Sequence, residues 1–189
     1  MKKIYEYLNE KTVELILDLD WFKVVNVKYD GADMIGLWKD SKNAIVIPFT
    51  STIPEDNKIT IEKIGVRYEL NPLRYENYTY TAITGNIEDG ETEIEGAKRE
   101  LLEESGYDAQ DDRRWINLGY ITTSKLTNEK HPCYAVNING IEQGEISGDG
   151  TVNEQKSKFE LIEPEKIFEL EDTYLNTGLL KLFYKLGAF

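Results

Sequence analysis

The stretch from Gly85 to Tyr107, GNIEDGETEIEGAKRELLEESGY, constrains this chain more than any other. Its second half, Ala97 to Ser105, is made of strong helix formers, and Gly106 stands where a left-handed residue usually ends a helix. Glu103 and Glu104 follow Glu100 by three and four residues, so on that helix the three carboxylates emerge on one face. Like charges so close repel one another, and a bound divalent cation relieves the repulsion while leaving them ionised. The face looks like a magnesium site. Glutamates on a helix are more often only a solvated face, so the carboxylates alone do not decide the matter.

The full spacing adds the rest. Gly85 is followed after five residues by Glu91, after seven more by Arg99-Glu100-Leu101, then by Glu103-Glu104 and Gly106-Tyr107, each after one residue. Such a pattern should arise by accident in far fewer than about one in 10^5 chains of this length. It resembles the signature box of the Nudix hydrolase superfamily, most nearly its ADP-ribose pyrophosphatase-like members. The soft match is Tyr107, where the family more often has an aliphatic residue.

Composition limits the partners. The net charge of -13 argues against tight, non-specific binding to nucleic acid or to an anionic membrane, both of which need clustered Lys and Arg. With 40% apolar and 11% aromatic residues, 189 residues suffice for one domain with a proper core, or one domain with an added N-terminal element. A single cysteine, Cys133, makes no internal disulfide and reads as a small apolar strand residue. The N-terminal residues do not read as a signal peptide, and no apolar run is long enough to span a membrane, so the expected location is cytoplasmic.

Along the chain, residues 3–20 suit a short helix passing into a strand, while Trp21 to Tyr29 and Met34 to Trp38 read as a hairpin closed by Asp30-Gly31. This 1–42 section is expected to be an extension packed on the core or part of a dimer contact, with the catalytic domain at 43–189. Strands are expected at 43–50, 59–68, 75–84, 115–123, 134–138 and 158–162, and a helix at 177–186, where Leu179, Leu182, Phe183 and Leu186 share a face. Strand 75–84 runs straight into Gly85, so the box is set as strand, loop, helix. The expected class is α/β (α+β), a Nudix-type α/β/α sandwich with a mixed sheet, the box helix and a C-terminal helix.

The resemblance implies hydrolysis of the phosphoanhydride in a nucleoside diphosphate linked to another group, with ADP-ribose or a nucleoside diphosphate sugar foremost. The alternatives are a nucleoside triphosphate, dinucleotide or cap hydrolase, and a non-catalytic nucleotide-binding regulator. The implied cofactor is Mg2+, with Mn2+ as substitute, and the implied partners are a small-molecule nucleotide and a second copy in a homodimer. By position, Glu100, Glu103 and Glu104 would be metal ligands together with the backbone carbonyl of Thr84. The catalytic candidates are Glu100, Glu103, Arg99 and Glu154. The general base is implied to come from the box or from the loop 144–155, which offers Glu145, Asp149 and Glu154, and Glu154 is best placed. Gly85 would allow a tight turn, Glu91 and Arg99 would hold the loop on the helix, and Gly106 would close it.

Arg67 and Glu69, in GVRYELNPL, lie where ADP-ribose-cleaving relatives have an arginine-containing strand, and are the candidates for substrate contact; an exposed salt bridge is the plain alternative. Where such relatives tend to carry a proline beyond the box, this chain has Thr122 and Thr123. Trp38, Tyr68 and Tyr80 are of a kind that stacks a base or fills a core. His131 is expected in an exposed polar loop.

Overall fold

The computed structural model describes residues 12–19, 22–52, 59–71, 78–147 and 157–187. They fall into two compact units, one made of residues up to Lys42 with Thr122–His131, the other of Asn43–Ile121 with Pro132–Phe189. The expected helix before residue 12 and the candidates Asp149 and Glu154 lie outside the described residues.

In the smaller unit three antiparallel strands, β1 (Thr12–Asp18), β2 (Lys23–Tyr29) and β3 (Ala32–Trp38), pair in sequence order. The β2–β3 hairpin turns at Asp30 (φ 48°) and Gly31 (φ 77°), the pair of left-handed residues that a two-residue hairpin needs. Leu37 also exchanges backbone hydrogen bonds with the 122–131 segment: its N–H donates to Leu126 O at 2.7 Å, and its carbonyl accepts from Asn128 at 3.3 Å. The Asn128 side chain completes the tie, accepting from Lys39 N–H at 2.7 Å and donating to Lys39 O at 2.8 Å. Trp38 is buried with Val25, and its indole N–H donates to Asp40 at 2.9 Å. It fills this small core.

The larger unit is built on a seven-stranded mixed sheet. Its strands are β4 (Asn43–Thr52), β5 (Thr60–Leu70), β6 (Tyr78–Thr81), β7 (Ile83–Asn86), β8 (Trp115–Ile121), β9 (His131–Asn137) and β10 (Lys158–Ile162). The path runs β10-β5-β4-β9-β8, with β6 on β5 and β7 on β4. Strand β4 is the spine. Its first half pairs antiparallel with β7, its second half with β5, and its other edge runs parallel to β9.

A strand covered on both faces should be apolar throughout, and β4 is buried from Ala44 to Phe49. Ile45, Ile47 and Phe49 point to one core, shared with Cys133, Ala135 and the C-terminal helix α3 (Thr173–Leu186) through Leu175, Leu179 and Leu182. Ala44 and Val46 point to the other, shared with the box helix α1 (Glu93–Ser105) through Ala97 and Leu101. Helices therefore cover both faces of the sheet, as expected. Gly178 lets α3 approach β4, since a Cβ there would lie 2.8 Å from Ile47 Cγ1.

Several features differ from the sequence reading, and where one strand was expected at 75–84 the described residues form two, β6 on β5 and β7 on β4. Helix α3 begins at Thr173 rather than 177, because the Asp172 carboxylate accepts from Leu175 N–H at 2.7 Å and caps a first turn of weak helix formers. A short helix α2 (Pro164–Ile167) and a 3-10 turn (Asp112–Arg114) were not anticipated. His131 is 3% exposed at the start of β9, with its Nε2 3.9 Å from Glu129, and not in an exposed loop.

Candidate active site

The box folds as strand, loop, helix. Strand β7 pairs Thr84 and Gly85 with Ile45 and Ala44, so the site starts from a buried stretch of β4. The loop turns at Asp89-Gly90, where Gly90 has φ +94°. Helix α1 then opens on a capping box: Thr92 accepts from Glu95 N–H, and the Glu95 carboxylate accepts from Thr92 N–H at 2.8 Å. It closes on Gly106 at φ 75°. A Cβ there would lie 2.4 Å from Gly144 O, and Gly144 N–H donates to Gly106 O at 2.8 Å, so the 144–147 loop starts against the helix end. Tyr107 is 9% exposed and meets Phe159 edge-on at 5.7 Å, an aromatic filling of the core where an aliphatic residue would be smaller.

One cleft of about 380 Å³ lies over this element, lined by Asn43, Thr84, Gly85, Asn86, Glu88, Arg99, Glu100 and Glu103. Gly85 is not at a turn, as the sequence suggested, but within β7. Its role is space. An added Cβ would lie 1.8 Å from Glu100 Cδ, so the carboxylate of Glu100 sits where any side chain at position 85 would begin.

Arg99 ties the loop to the helix. Its Nε donates to Glu91 Oε1 at 2.9 Å, and its Nη2 donates to Glu91 Oε2 at 3.1 Å and to Asn86 O at 2.5 Å. Its Nη1 donates to Glu100 Oε1 at 2.7 Å and to Glu103 Oε2 at 3.1 Å. The hydrogen bond to Glu91 is the main reason that the guanidinium holds its proton more tightly than usual, with Glu100 adding to it. Glu91 is correspondingly held below the usual glutamate range, by Arg99 and then by the N–H of Glu88. Asn86, Asn43 and Glu88 escaped the sequence reading because the first two reach the site only through the β4–β7 register.

The remaining candidates go elsewhere. Glu104 is 6% exposed and is not among the residues lining the cleft. Its Oε2 lies 3.9 Å from Arg67 Nε, and its backbone carbonyl accepts from Arg67 Nη1 at 2.8 Å. Arg67 is 1% exposed, with Nη2 donating to Ser157 Oγ. Neither an open substrate contact nor an exposed salt bridge describes it: the guanidinium anchors the end of α1 to β5. Glu69 is half-buried, and burial raises its pKa against the pull of Arg67. Tyr68 and Tyr80 are register partners with rings 4.8 Å apart, Tyr80 resting on the α3-side core. Glu145 is exposed. Cys133 is buried, its thiol pushed up to about 12 by burial.

A hard divalent cation takes oxygen ligands. The cleft offers oxygen donors, with Glu100 and Glu103 both accepting from the Arg99 guanidinium that lines it too. Among the described residues no three acidic, histidine or cysteine side chains are grouped as a ready-made metal site. The donor chemistry fits, and the third carboxylate, Glu104, lies with its Oε2 3.9 Å from Arg67 Nε.

No family model and no curated protein matches the chain. Among solved structures, an ADP compounds hydrolase matches over 95% of this chain and 96% of its own, with a TM-score of 0.70 and 17% identity. The fold is that of the Nudix hydrolases. A structure of MutT from work on Aliivibrio salmonicida and Vibrio cholerae covers 79% of this chain and 98% of its own at 13% identity, with a TM-score of 0.49 that carries no weight here. At 17% identity the likeness to the ADP compounds hydrolase speaks for the fold alone, while the chemistry is read from the box residues themselves.

Proposed function

We propose that the chain is a magnesium-dependent Nudix pyrophosphohydrolase, which adds water across the phosphoanhydride of a nucleoside diphosphate linked to another group. ADP-ribose and nucleoside diphosphate sugars are the first substrates to expect. The observation that carries this reading is the seating of the Glu100 carboxylate in the space left by Gly85, beside Glu103 and under the Arg99 clamp. An acidic cleft repels a pyrophosphate, so these carboxylates suit the reaction only with a cation between them and the substrate.

In this reading Glu100 and Glu103 hold the cation, with Thr84 at the edge of the same cleft. Once bound, Mg2+ would neutralise phosphate charge and acidify a water. Glu91 and Arg99 keep the loop on the helix. Glu104 and Arg67 belong to the support beneath. The base that takes the proton from water is assigned to a box glutamate or to the 144–155 loop, with Glu154 its candidate there.

The test is turnover of ADP-ribose, nucleoside diphosphate sugars, NADH, dinucleoside polyphosphates and nucleoside triphosphates with Mg2+, with products identified. Cleavage of ADP-ribose to AMP and ribose phosphate is expected, and Glu100→Gln should lower turnover by roughly 10^2- to 10^4-fold with the fold intact. Wild-type turnover in Glu100→Gln would remove the site. Tight nucleotide binding with no hydrolysis of any of these would leave a binding module instead. A homodimer belongs to the same reading. Ile16, Met34, Ile35 and Leu37 of the three-stranded sheet are 41–61% exposed and offer apolar surface to cover, and a monomeric mass by light scattering would exclude it.

A further inference from the structure

The three nitrogens of Arg99 face two different ways. Nε and Nη2 are held by Glu91 and the Asn86 carbonyl on the loop, whereas Nη1 alone meets the cleft carboxylates, at 2.7 Å from Glu100 and 3.1 Å from Glu103. The Glu103 contact is an ordinary helical pair four residues on. The Glu100 contact is not, because adjacent helix residues do not normally face each other. It forms because Glu100 is turned into the Gly85 cradle and Arg99 is drawn over it by Glu91. Three carboxylates thus meet one guanidinium, two of them on the cleft side.

We propose that Arg99 Nη1 is an exchangeable counter-cation for Glu100 and Glu103. It holds the pair together in the metal-free protein and competes with a divalent cation for the same oxygens, while Glu91 and Asn86 keep the rest of the guanidinium fixed. The inference rests on the metal-dependent reading above and adds a positioning role for Arg99. Its consequence is that the cleft stays assembled without metal, at the expense of metal affinity. A residue that merely ordered the loop would act in the opposite sense, since its loss would weaken metal binding.

Two measurements on the full chain decide this. Calorimetric titration with MgCl2 of the chelator-treated wild type and of Arg99→Gln should give a dissociation constant roughly three- to tenfold lower for the variant, the scale of a partly exposed ion pair. Weaker binding by Arg99→Gln overturns the proposal. The second needs no folded variant: arginine side-chain nitrogen NMR of the wild type, titrated with MgCl2, should shift the Arg99 Nη1 signal while Nε, held by Glu91, stays nearly fixed. Saturable Mg2+ binding with Nη1 unmoved removes the counter-cation role and leaves the proposed function standing. No Mg2+ binding by the wild type removes both.

Discussion

The Cβ that Gly85 lacks would lie 1.8 Å from Cδ of Glu100 and 2.0 Å from each of its carboxylate oxygens. Strand and helix meet here through a carboxylate, so position 85 controls where Glu100 sits. In Gly85→Ala either Glu100 leaves its cradle or β7 shifts from β4. Overpacking of this kind costs about 1–3 kcal/mol, a fall in Tm of roughly 3–10 °C for a chain of this size. Displacing the carboxylate by about 1 Å should cost turnover on the order of 10^2-fold. Thermal melts followed by circular dichroism and a turnover assay check both. An alanine variant with wild-type Tm and turnover would show that Glu100 is not confined by residue 85.

Arg67 and Glu104 are a buried pair, with Arg67 Nε 3.9 Å from Glu104 Oε2 and Arg67 Nη1 donating to the Glu104 carbonyl. Removing the guanidinium takes a buried positive charge from beside the Glu104 carboxylate, so Arg67→Met should lose about 3–5 kcal/mol of stability. The double variant Arg67→Met/Glu104→Leu should recover part of that loss, because no buried charge is then left alone. Denaturant unfolding of the two singles and the double measures the coupling. If Arg67→Met instead kept full stability and raised only the KM for substrate, Arg67 would be a substrate contact after all.

What the sequence made legible follows from what is local. The box helix, its Gly106 stop and the apolar faces of β4 and α3 are written in residue spacing, and spacing survives folding. Gly85 was recognised as necessary, but the reason was not, since the Glu100 carboxylate reaches it only when β7 and α1 pack. Arg67 shows the same limit: an arginine on a strand reads as exposed until the end of a helix is laid over it. Asn43 and Asn86 join the cleft by pairing across about forty residues of chain, and no local pattern announces that register. His131 misled because its neighbours Lys130 and Pro132 look like loop, whereas β9 starts at that residue and is covered from its first position.

Glu69 supplies a pH test independent of the cleft. Burial raises its pKa above the ordinary glutamate value of 4.5, with Arg67 pulling the other way. The folded protein therefore holds this proton to a higher pH than the unfolded chain does. Below the ordinary value both states are protonated and the group costs nothing. As pH rises through the window between the ordinary and the raised value, the native state binds more protons than the unfolded one, so stability falls, and the cost persists at neutral pH. Glu69→Gln keeps the shape of the side chain and never ionises. Its unfolding free energy should exceed that of the wild type at pH 7, with the gap closing as the pH is brought down towards 4. Urea denaturation at a series of pH values gives the difference directly. A gap that widened towards acid would mean that Glu69 gains more from Arg67 than it loses by burial.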